Sequence, residues 1–494
     1  MRLTKYIAAL VIAFASLSGC DSEMDRINTN PLALTQLSDE YLFTSAVRET
    51  FGSYTHIRSF ELRIMSQYAH VFVFNNELRE TDKYNDFHVQ DLYEEIFSER
   101  YTGPIKYINE VLRLTQEGTY KNEVRNALAT VVAMISYAKV TDSWGDVPYT
   151  EGGKGQLGIL APKYDTQEFI YKDMMEKLKN SIQILKTAKA ADAYPGADPV
   201  YNNDLNKWLR FANSFRLRLA MRARFADPEG SKKVISECLS EPLIEDNSQN
   251  FTLSHINSDN SELYNPWYTI GVYYQPKMSE KFVKWLTSNN DPRLQLFVKP
   301  NANGTYTGIP NGISDMAINL FDWESYSAPT PLWFKKDNPQ VLMCASEVYF
   351  LRAEAALFNL GGTDANSLYR EGIRKAMQQW SIPTETITNY LTKTAQTTLS
   401  GGTEHQFEQI GDQMWIAFAP NFSEAWSNCR RTAYPNIPQR TGDVLSKGAT
   451  NGYLPKRFKY TTNEYSRNLD NVNKAITHQG VDKIDTPVWW DKKD

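Results

Sequence analysis

The stretch that decides the fold reads Thr141-Asp142-Ser143-Trp144-Gly145-Asp146-Val147-Pro148-Tyr149-Thr150-Glu151. The residues before it, 126–139, are small or apolar on nearly every side, which is typical of a helix buried on most of its surface. Gly145 allows backbone angles that other residues avoid, and Pro148 cannot donate to a continuing helix, so the helix is predicted to end here. We expect Trp144 and Tyr149 to cover the helix end as core residues.

The composition describes a soluble protein with a large core. The chain has 494 residues, of which 41% are hydrophobic and 22% are charged. A formal net charge of -5, without a basic run that alternates with aromatic residues, argues against a nucleic-acid partner. The chain has six histidines and no HExxH spacing, so a zinc enzyme is not indicated, and we expect no cofactor.

The first twenty residues predict export and lipidation. Arg2 and Lys5 precede an apolar run over residues 6–14, and Leu17-Ser-Gly-Cys20 then resembles a lipobox, where bacterial lipoproteins are cleaved and acylated. We expect residues 1–19 to be a signal peptide and Cys20 to carry the lipid. The three remaining cysteines are too scattered to form a disulfide framework, and we expect buried thiols at Cys238, Cys344 and Cys429.

The rest of the chain predicts a mainly α fold built from packed helical hairpins. Helical patterns fill residues of about 35–240 and 340–435, and we expect one domain over residues 20–494. Residues 346–359 and 364–380, separated by Gly361-Gly362, have the small and large alternation of a tetratricopeptide-like hairpin. Residues 436–494 are expected to form loops.

Two patterns that could indicate an anion site have simpler interpretations. The helix predicted over residues 204–225 carries five arginines beside an apolar stripe, and we expect these side chains to pair with acidic neighbours: Arg210, Arg216, Arg218, Arg222 and Arg224. Residues 153–158 match GxGxxG, but no strand precedes them and Ala161-Pro162 follows, so we interpret them as a loop.

Residues of about 241–339 form a loop-rich region with many aromatic side chains, and only residues 277–288 within it look helical. Loops on a rigid helical scaffold are common positions for ligand sites. Aromatic faces stack on the apolar C–H faces of sugars, and asparagine amides both donate to and accept from hydroxyl pairs. With a second loop near residue 75, this region predicts the ligand-binding residues Phe74, Asn75, Asn76, Tyr84, Tyr264, Trp267, Tyr268, Trp323 and Tyr326.

Two other classes of function remain open. Asp142 and Asp146 could serve as the carboxylate pair of a glycoside hydrolase, although nothing in the sequence fixes them at a catalytic separation. A tetratricopeptide adaptor without a small ligand would explain the helices but not the aromatic loops.

Several motifs, spread in order along the chain, resemble the SusD/RagB family, and in particular its second SusD-like type. They are the lipobox and the segments Ile27–Pro31, Thr141–Tyr149, Asp291–Leu294, Tyr306–Pro310, Ala345–Ala355 and Trp426–Pro435. The resemblance implies an outer-membrane, surface-facing lipoprotein of Bacteroidetes with a tetratricopeptide-like scaffold. It also implies a non-catalytic binder of oligosaccharides, or of peptides, that acts with a SusC-type TonB-dependent transporter. The family shares no single set of ligand residues, so none is carried over.

The lipidation of Cys20 is directly testable. Cys20→Ala removes the thiol that would be acylated, so we expect a soluble or uncleaved protein in place of a membrane-anchored one. Detergent-phase partitioning measures this, and unchanged partitioning of the variant would contradict the assignment.

Overall fold

The structure is a computed structural model that describes residues 38–117, 120–260 and 263–493. The signal peptide and Cys20 lie outside these ranges and stay predictions. The described chain is mainly helical, as expected, with short strands. The helices of its first half are α1 (Asp39–Gly52), a π-helix (His56–Met65), α2 (Ser66–Tyr68), α3 (Arg79–Asp82), α4 (Asp86–Thr102), α5 (Pro104–Gln116), α6 (Glu123–Trp144), α7 (Gln167–Thr187), α8 (Leu205–Ala223) and α9 (Pro228–Leu239).

The second half alternates short and long helices. They are α10 (Trp267–Tyr274), α11 (Glu280–Ser288), α12 (Arg293–Phe297), α13 (Ala345–Leu357), α14 (Ala365–Gln378), α15 (Thr384–Lys393), α16 (Thr403–Ala417), α17 (Phe422–Thr432), α18 (Thr462–Arg467) and α19 (Leu469–Gln479). The strands are β1 (Phe72–Val73), β2 (Phe251–Leu253), β3 (Lys277–Met278), β4 (Val298–Lys299), β5 (Ala328–Pro329) and β6 (Gln340–Met343). They form three antiparallel pairs, β1 with β3, β2 with β6 and β4 with β5.

Helix α6 is the central rod, and its boundaries follow from the sequence. The Oδ1 atom of Asn122 accepts hydrogen bonds from the backbone N–H groups of Val124 and Arg125, at 3.0 and 3.1 Å, and so caps the first turn. The helix ends where Gly145 adopts a φ of 85°. A Cβ at that position would lie 2.0 Å from Oε1 of Gln479, so both the φ angle and the close approach require glycine.

Trp144 and Tyr149 are core residues, as predicted. The indole of Trp144 packs edge-on against Phe97 and Phe458 and donates a 2.9 Å hydrogen bond to the carbonyl of Lys459. The phenol of Tyr149 donates a 2.6 Å hydrogen bond to Asp173. Since Phe458 and Lys459 lie more than 300 residues further along the chain, the turn after α6 joins distant parts of the molecule.

A buried cluster of charged groups connects α6 to α8 and α17. The guanidinium of Arg222 bonds both Asp142 and Glu424, and all three side chains are less than a tenth exposed. Arg218 makes a two-pronged contact with Glu347, at 2.5 and 2.7 Å. Burial alone would raise the pKa of Glu424, but the guanidinium groups of Arg218 and Arg222 lower it to about 2.

The arginines on α8 and at its C-terminal end pair with acidic side chains, as expected. Besides the two in the buried cluster, Arg216 contacts Glu237 and Arg224 contacts Glu354, each at less than 3 Å. Arg210 makes a looser, half-exposed contact with Glu245 at 3.4 Å. The cysteines described, Cys238, Cys344 and Cys429, are free and buried, which also agrees with the prediction.

The predicted tetratricopeptide-like hairpin is formed by α13 and α14. The two helices approach closely because Gly372 has no side chain: a Cβ there would lie 2.7 Å from the ring of Phe350. Gly361 and Gly362 both have positive φ in the turn between the helices. The spacing of small and large residues therefore predicted this hairpin correctly.

Two predictions of irregular structure were wrong. The loop-rich region 241–339 contains α10 and α12 in addition to a helix near residues 277–288, and Lys277 and Met278 belong to strand β3. Residues 436–494, expected as loops, contain α18 and α19. Helix α19 buries only Val472 and Ala475, which are three positions apart. Two apolar residues among many polar ones are too few to show a helical period in the sequence.

The buried charge cluster predicts a large difference between two arginines of α8. Arg222→Met leaves Asp142 buried without its cation and Glu424 with only the looser contact to Arg218 at 3.5 Å, so we expect a loss of about 3–5 kcal/mol in the free energy of unfolding. Arg210→Met removes a half-exposed ion pair and a hydrogen bond to the carbonyl of Leu243, and should cost only about 1–2 kcal/mol. Denaturant titration measures both, and equal losses would contradict a structural role specific to the cluster.

Candidate ligand-binding surface

The nine residues predicted to bind ligand do not lie on one surface. Three of them, Phe74, Tyr84 and Trp267, are only 1–2% exposed and belong to the main core. The other six reach the surface in two separate groups. Among the described residues, no ring contact or hydrogen bond joins one group to the other.

Trp267 lies in a helix, not on a loop. The Oδ1 atom of Asn265 accepts a 3.0 Å hydrogen bond from the backbone N–H of Trp267 at the start of α10. The helix turns the indole inward, where its ring centroid lies 6.2 Å from that of Trp333 and 5.2 Å from that of Phe422. In this position the ring has no face open to a ligand, so the prediction of a surface aromatic at 267 is corrected.

Tyr84 and Phe74 are also held inside the protein. The hydroxyl of Tyr84 lies 3.1 Å from Nε2 of His70, and the guanidinium of Arg440 covers its ring at 3.6 Å from the centroid. Burial raises the pKa of Tyr84 to about 12, so the phenol stays neutral. Both ring and hydroxyl therefore have partners within the chain, while Phe74 packs in the same core.

The first surface group, which we name the Trp323 face, consists of Asn75, Asn76, Phe321, Trp323 and Tyr326. Its aromatic rings are partly buried and pack on a small second hydrophobic cluster that includes Val73 of β1. Because Asn75 and Asn76 follow Val73 by two and three residues, they lie within about 10 Å of that cluster. The structure thus brings together four of the predicted residues from two distant segments.

The Trp323 face has a fixed shape. Strand β1 pairs with β3, with Val73 opposite Lys277, and this pairing holds the Asn75 loop beside the small cluster. Asn76 uses its Oδ1 to accept from the backbone N–H of Leu78 at 3.1 Å, whereas the exposed side chain of Asn75 has no hydrogen bond within the described chain. The loop after β1 therefore carries an exposed amide without a hydrogen bond in the described chain, and the neighbouring small cluster carries partly open aromatic rings. Amides suit hydroxyl groups and aromatic rings suit C–H faces.

The hydroxyl of Tyr326 is a neutral hydrogen-bonding group. Burial raises its pKa, with a smaller contribution in the same direction from the carboxylates of Glu280 and Asp322. The ring of Phe321 lies 6.2 Å from that of Tyr326. Phe321 was not among the predicted residues, although it stands in the same aromatic stretch two positions before Trp323.

The second surface group is the tyrosine pair Tyr264 and Tyr268. Their rings meet edge to face at 5.5 Å, and the ammonium of Lys336 lies 5.6 and 4.8 Å from the two centroids. Lys336 also donates to Asp259 at 2.6 Å, which raises the pKa of Lys336. The faces of both tyrosines are thus already in contact with a cation. The sequence did not indicate this contact because Lys336 is about 70 residues away.

The carboxylates considered for catalysis are structural. Asp142 lies in the last turn of α6, bound to Arg222, to the hydroxyl of Tyr171 and to the indole N–H of Trp490. It borders a void of only about 10 Å³, which is room for about one water molecule.

The carboxylate of Asp146 is also hydrogen-bonded within the fold. It accepts from the backbone N–H of Gln167 at 2.8 Å and from His478 at 2.6 Å, while burial raises its pKa. The geometry therefore offers no sugar-sized space between the two carboxylates. Among the described residues, no group of three or more His, Cys, Asp or Glu side chains could hold a metal ion.

The comparison with protein families shows which family the chain belongs to. A family model described as "Starch-binding associating with outer membrane", of the second SusD-like type, matches residues 31–461. The chain belongs to this SusD-like family. Its mainly helical fold with a tetratricopeptide-like scaffold, expected from the sequence, is confirmed.

Solved structures agree over almost the whole chain. A chitin-binding protein is 25% identical, with 92% of this chain and 99% of that chain covered, at a TM-score of 0.79. A SusD homologue from Bacteroides uniformis is 26% identical, with 92% and 100% covered, at a TM-score of 0.77. A chitin-binding SusD homologue from Flavobacterium johnsoniae, 22% identical with 92% and 98% covered, shares the fold at a TM-score of 0.80. A search of curated proteins gave no significant match.

The family description associates these proteins with the outer membrane. Within the described ranges, the SusD-like chain has no helix with the length and apolar character needed to span a membrane.

The different burial of two tryptophans predicts different consequences for stability. Trp267→Ala empties a space between Trp333 and Phe422, so we expect a loss of about 3–5 kcal/mol in unfolding free energy. Trp323→Ala removes a partly exposed ring and should lower the melting temperature much less. Thermal unfolding of both variants measures the difference, and a stable Trp267→Ala protein would contradict the core position.

Proposed function

We propose that this SusD-like protein is a surface lipoprotein, anchored through Cys20, that binds oligosaccharides and delivers them to a SusC-type TonB-dependent transporter. The observation that supports binding best is the Trp323 face. It presents partly open aromatic rings on a hydrophobic cluster that includes Val73, two residues before the exposed Asn75. Sugar rings need both features, a flat apolar face to stack on and paired donors and acceptors for their hydroxyl groups.

Two neutral glycans are the first candidates for the ligand. The family description names starch, an α-linked glucose polymer, and the structure that is 25% identical is named as a chitin-binding protein. Both polymers are uncharged, which suits a face whose aromatic and amide groups carry no charge. A peptide would use the same groups, with aromatics for side chains and amides for the backbone, and is the alternative that the same assay tests.

The function is binding and not hydrolysis. The carboxylate pair considered from the sequence, Asp142 and Asp146, is buried and bonded within the fold. Incubation of the protein with either glycan should therefore release no new reducing ends, and steady release of product would overturn this part of the proposal.

The binding proposal predicts a specific loss of affinity. Trp323→Ala and Tyr326→Ala should each weaken the binding of maltoheptaose or N-acetylchitohexaose by about 1–3 kcal/mol, the usual scale for a central contact residue. Isothermal titration calorimetry measures the affinity.

The matched control is Tyr41→Ala, which removes a tyrosine that is 72% exposed on α1, away from the loops. This variant should bind as the parent does. If the Trp323 and Tyr326 variants keep the parent affinity for a glycan that the parent binds, the site lies elsewhere.

The proposed lipid anchor is the reason to expect a transporter as partner. A protein held by a lipid stays on one side of the membrane, so uptake of its ligand requires a partner that forms a channel. Affinity purification from outer membranes should recover a large β-barrel protein with this chain, and recovery of the chain alone would count against the partnership.

A further inference from the structure

A cleft of about 460 Å³ lies next to the tyrosine pair, and the proposed function does not use it. It is bordered by strand β6, by the turn that carries Trp333 and by the end of α14. Seven carboxamide side chains and three indoles are among its lining residues, and no charged side chain is found among those that the structure describes. The volume falls within the range of roughly 300–1,000 Å³ that is typical of small-molecule sites.

Part of this lining fixes the shape of the cleft. The amide nitrogen of Asn265 donates to the carbonyl of Asn338 at 2.9 Å, and Asn338 in turn donates to the carbonyl of Leu332 at 2.5 Å. The indole of Trp333 donates to the carbonyl of Phe297 at 2.8 Å, and the ring of Trp380 stands edge-on to Phe297 at 5.2 Å. These walls are therefore formed before any ligand arrives.

Other carboxamides in the lining have no partner. Gln340 is only 2% exposed, yet its side-chain amide makes no hydrogen bond within the described chain. Gln378 at the end of α14 also has an unpaired amide, and Gln379 meets only Asn250, at 3.5 Å. A buried amide without a partner destabilises a fold unless a ligand or water bonds to it, and buried polar groups in proteins are nearly always paired. The amide of Gln340 is thus available to a ligand in the cleft.

We propose that this cleft is a second saccharide-binding site, separate from the Trp323 face, and that it takes one or two rings of an uncharged sugar. A sugar hydroxyl both donates and accepts, and so does each carboxamide, while the half-buried indole of Trp380 offers a flat apolar surface for the ring. The absence of a charged group among the described lining residues disfavours acidic sugars, phosphates and the charged ends of peptides. The inference rests on glycan binding as the proposed function, but it shares no residue with the Trp323 face.

The test uses the mature chain and probes of a single ring, methyl α-glucoside and methyl N-acetyl-β-glucosaminide. Their affinities are measured by saturation-transfer NMR, and their positions by soaking crystals. Gln340→Leu keeps the shape of the side chain but removes its amide, so we expect about a tenfold rise in the Kd of a bound probe. Gln378→Ala, at an exposed helix end where misfolding is not a concern, should raise the Kd about threefold.

Three controls make the result specific. Gln406→Leu makes the same substitution on α16, outside the cleft, and should leave the affinity of the probes unchanged. Trp323→Ala should leave probe binding in the cleft intact. The melting temperature of Gln340→Leu should equal or exceed that of the parent, because its amide has no partner to lose.

Each outcome decides between the two sites. Probe density in the cleft, with binding weakened by Gln340→Leu and not by Trp323→Ala, supports the second site. Binding weakened only by Trp323→Ala, or density only at the Trp323 face, overturns the second site and leaves the proposed function standing. Binding that neither variant changes, or no binding of these probes and of the longer glycans, overturns both.

Discussion

The contact on which the rest of the structure depends is the one between Asp142 and Arg222, deep in the core. Asp142 stands at the end of α6 and Arg222 on α8, and Glu424 on α17 binds the same guanidinium. Burying charged groups is costly, and apolar residues of equal volume can often replace such a cluster without loss of stability. Its contribution here is therefore to specify which helices meet. An exchange of partners would leave a charge unpaired, whereas an apolar core tolerates such an exchange more easily.

The same turn shows what the sequence could and could not predict. The break after α6 follows from Gly145 and Pro148 alone, because backbone geometry is a local property. The glycine-spaced hairpin of α13 and α14 was predicted for the same reason. What the sequence could not give was the distant partner of each group. The indole of Trp490, which donates to Asp142 at 2.9 Å, and the carbonyl of Lys459, which accepts from Trp144, are hundreds of residues away. The helices α10 and α19 were missed because their burial comes from tertiary contacts and not from a long apolar stripe.

For the ligand surface, the sequence correctly identified a region rich in aromatic residues but could not separate core from surface within it. Trp267 and Trp323 have similar loop-like neighbours in the sequence, yet one is 2% exposed and the other is partly open. The difference comes from tertiary packing, because the indole of Trp267 meets Trp333 and Phe422 in the core. Val73, two residues before Asn75, shares a small hydrophobic cluster with Trp323, although the two lie 250 positions apart in the sequence. Such pairings depend on the whole fold, so site residues are harder to predict than helices.

The bond from Trp490 to Asp142 also bears on when the protein can fold. The two residues are separated by 348 positions, and closing so long a loop is slow compared with forming a local hairpin. During synthesis, Asp142 at the centre of the molecule has no indole partner until Trp490 is made, 348 positions later. Until then the core lacks one of its donors. The centre of the core is therefore completed late, after the local hairpins around it can form.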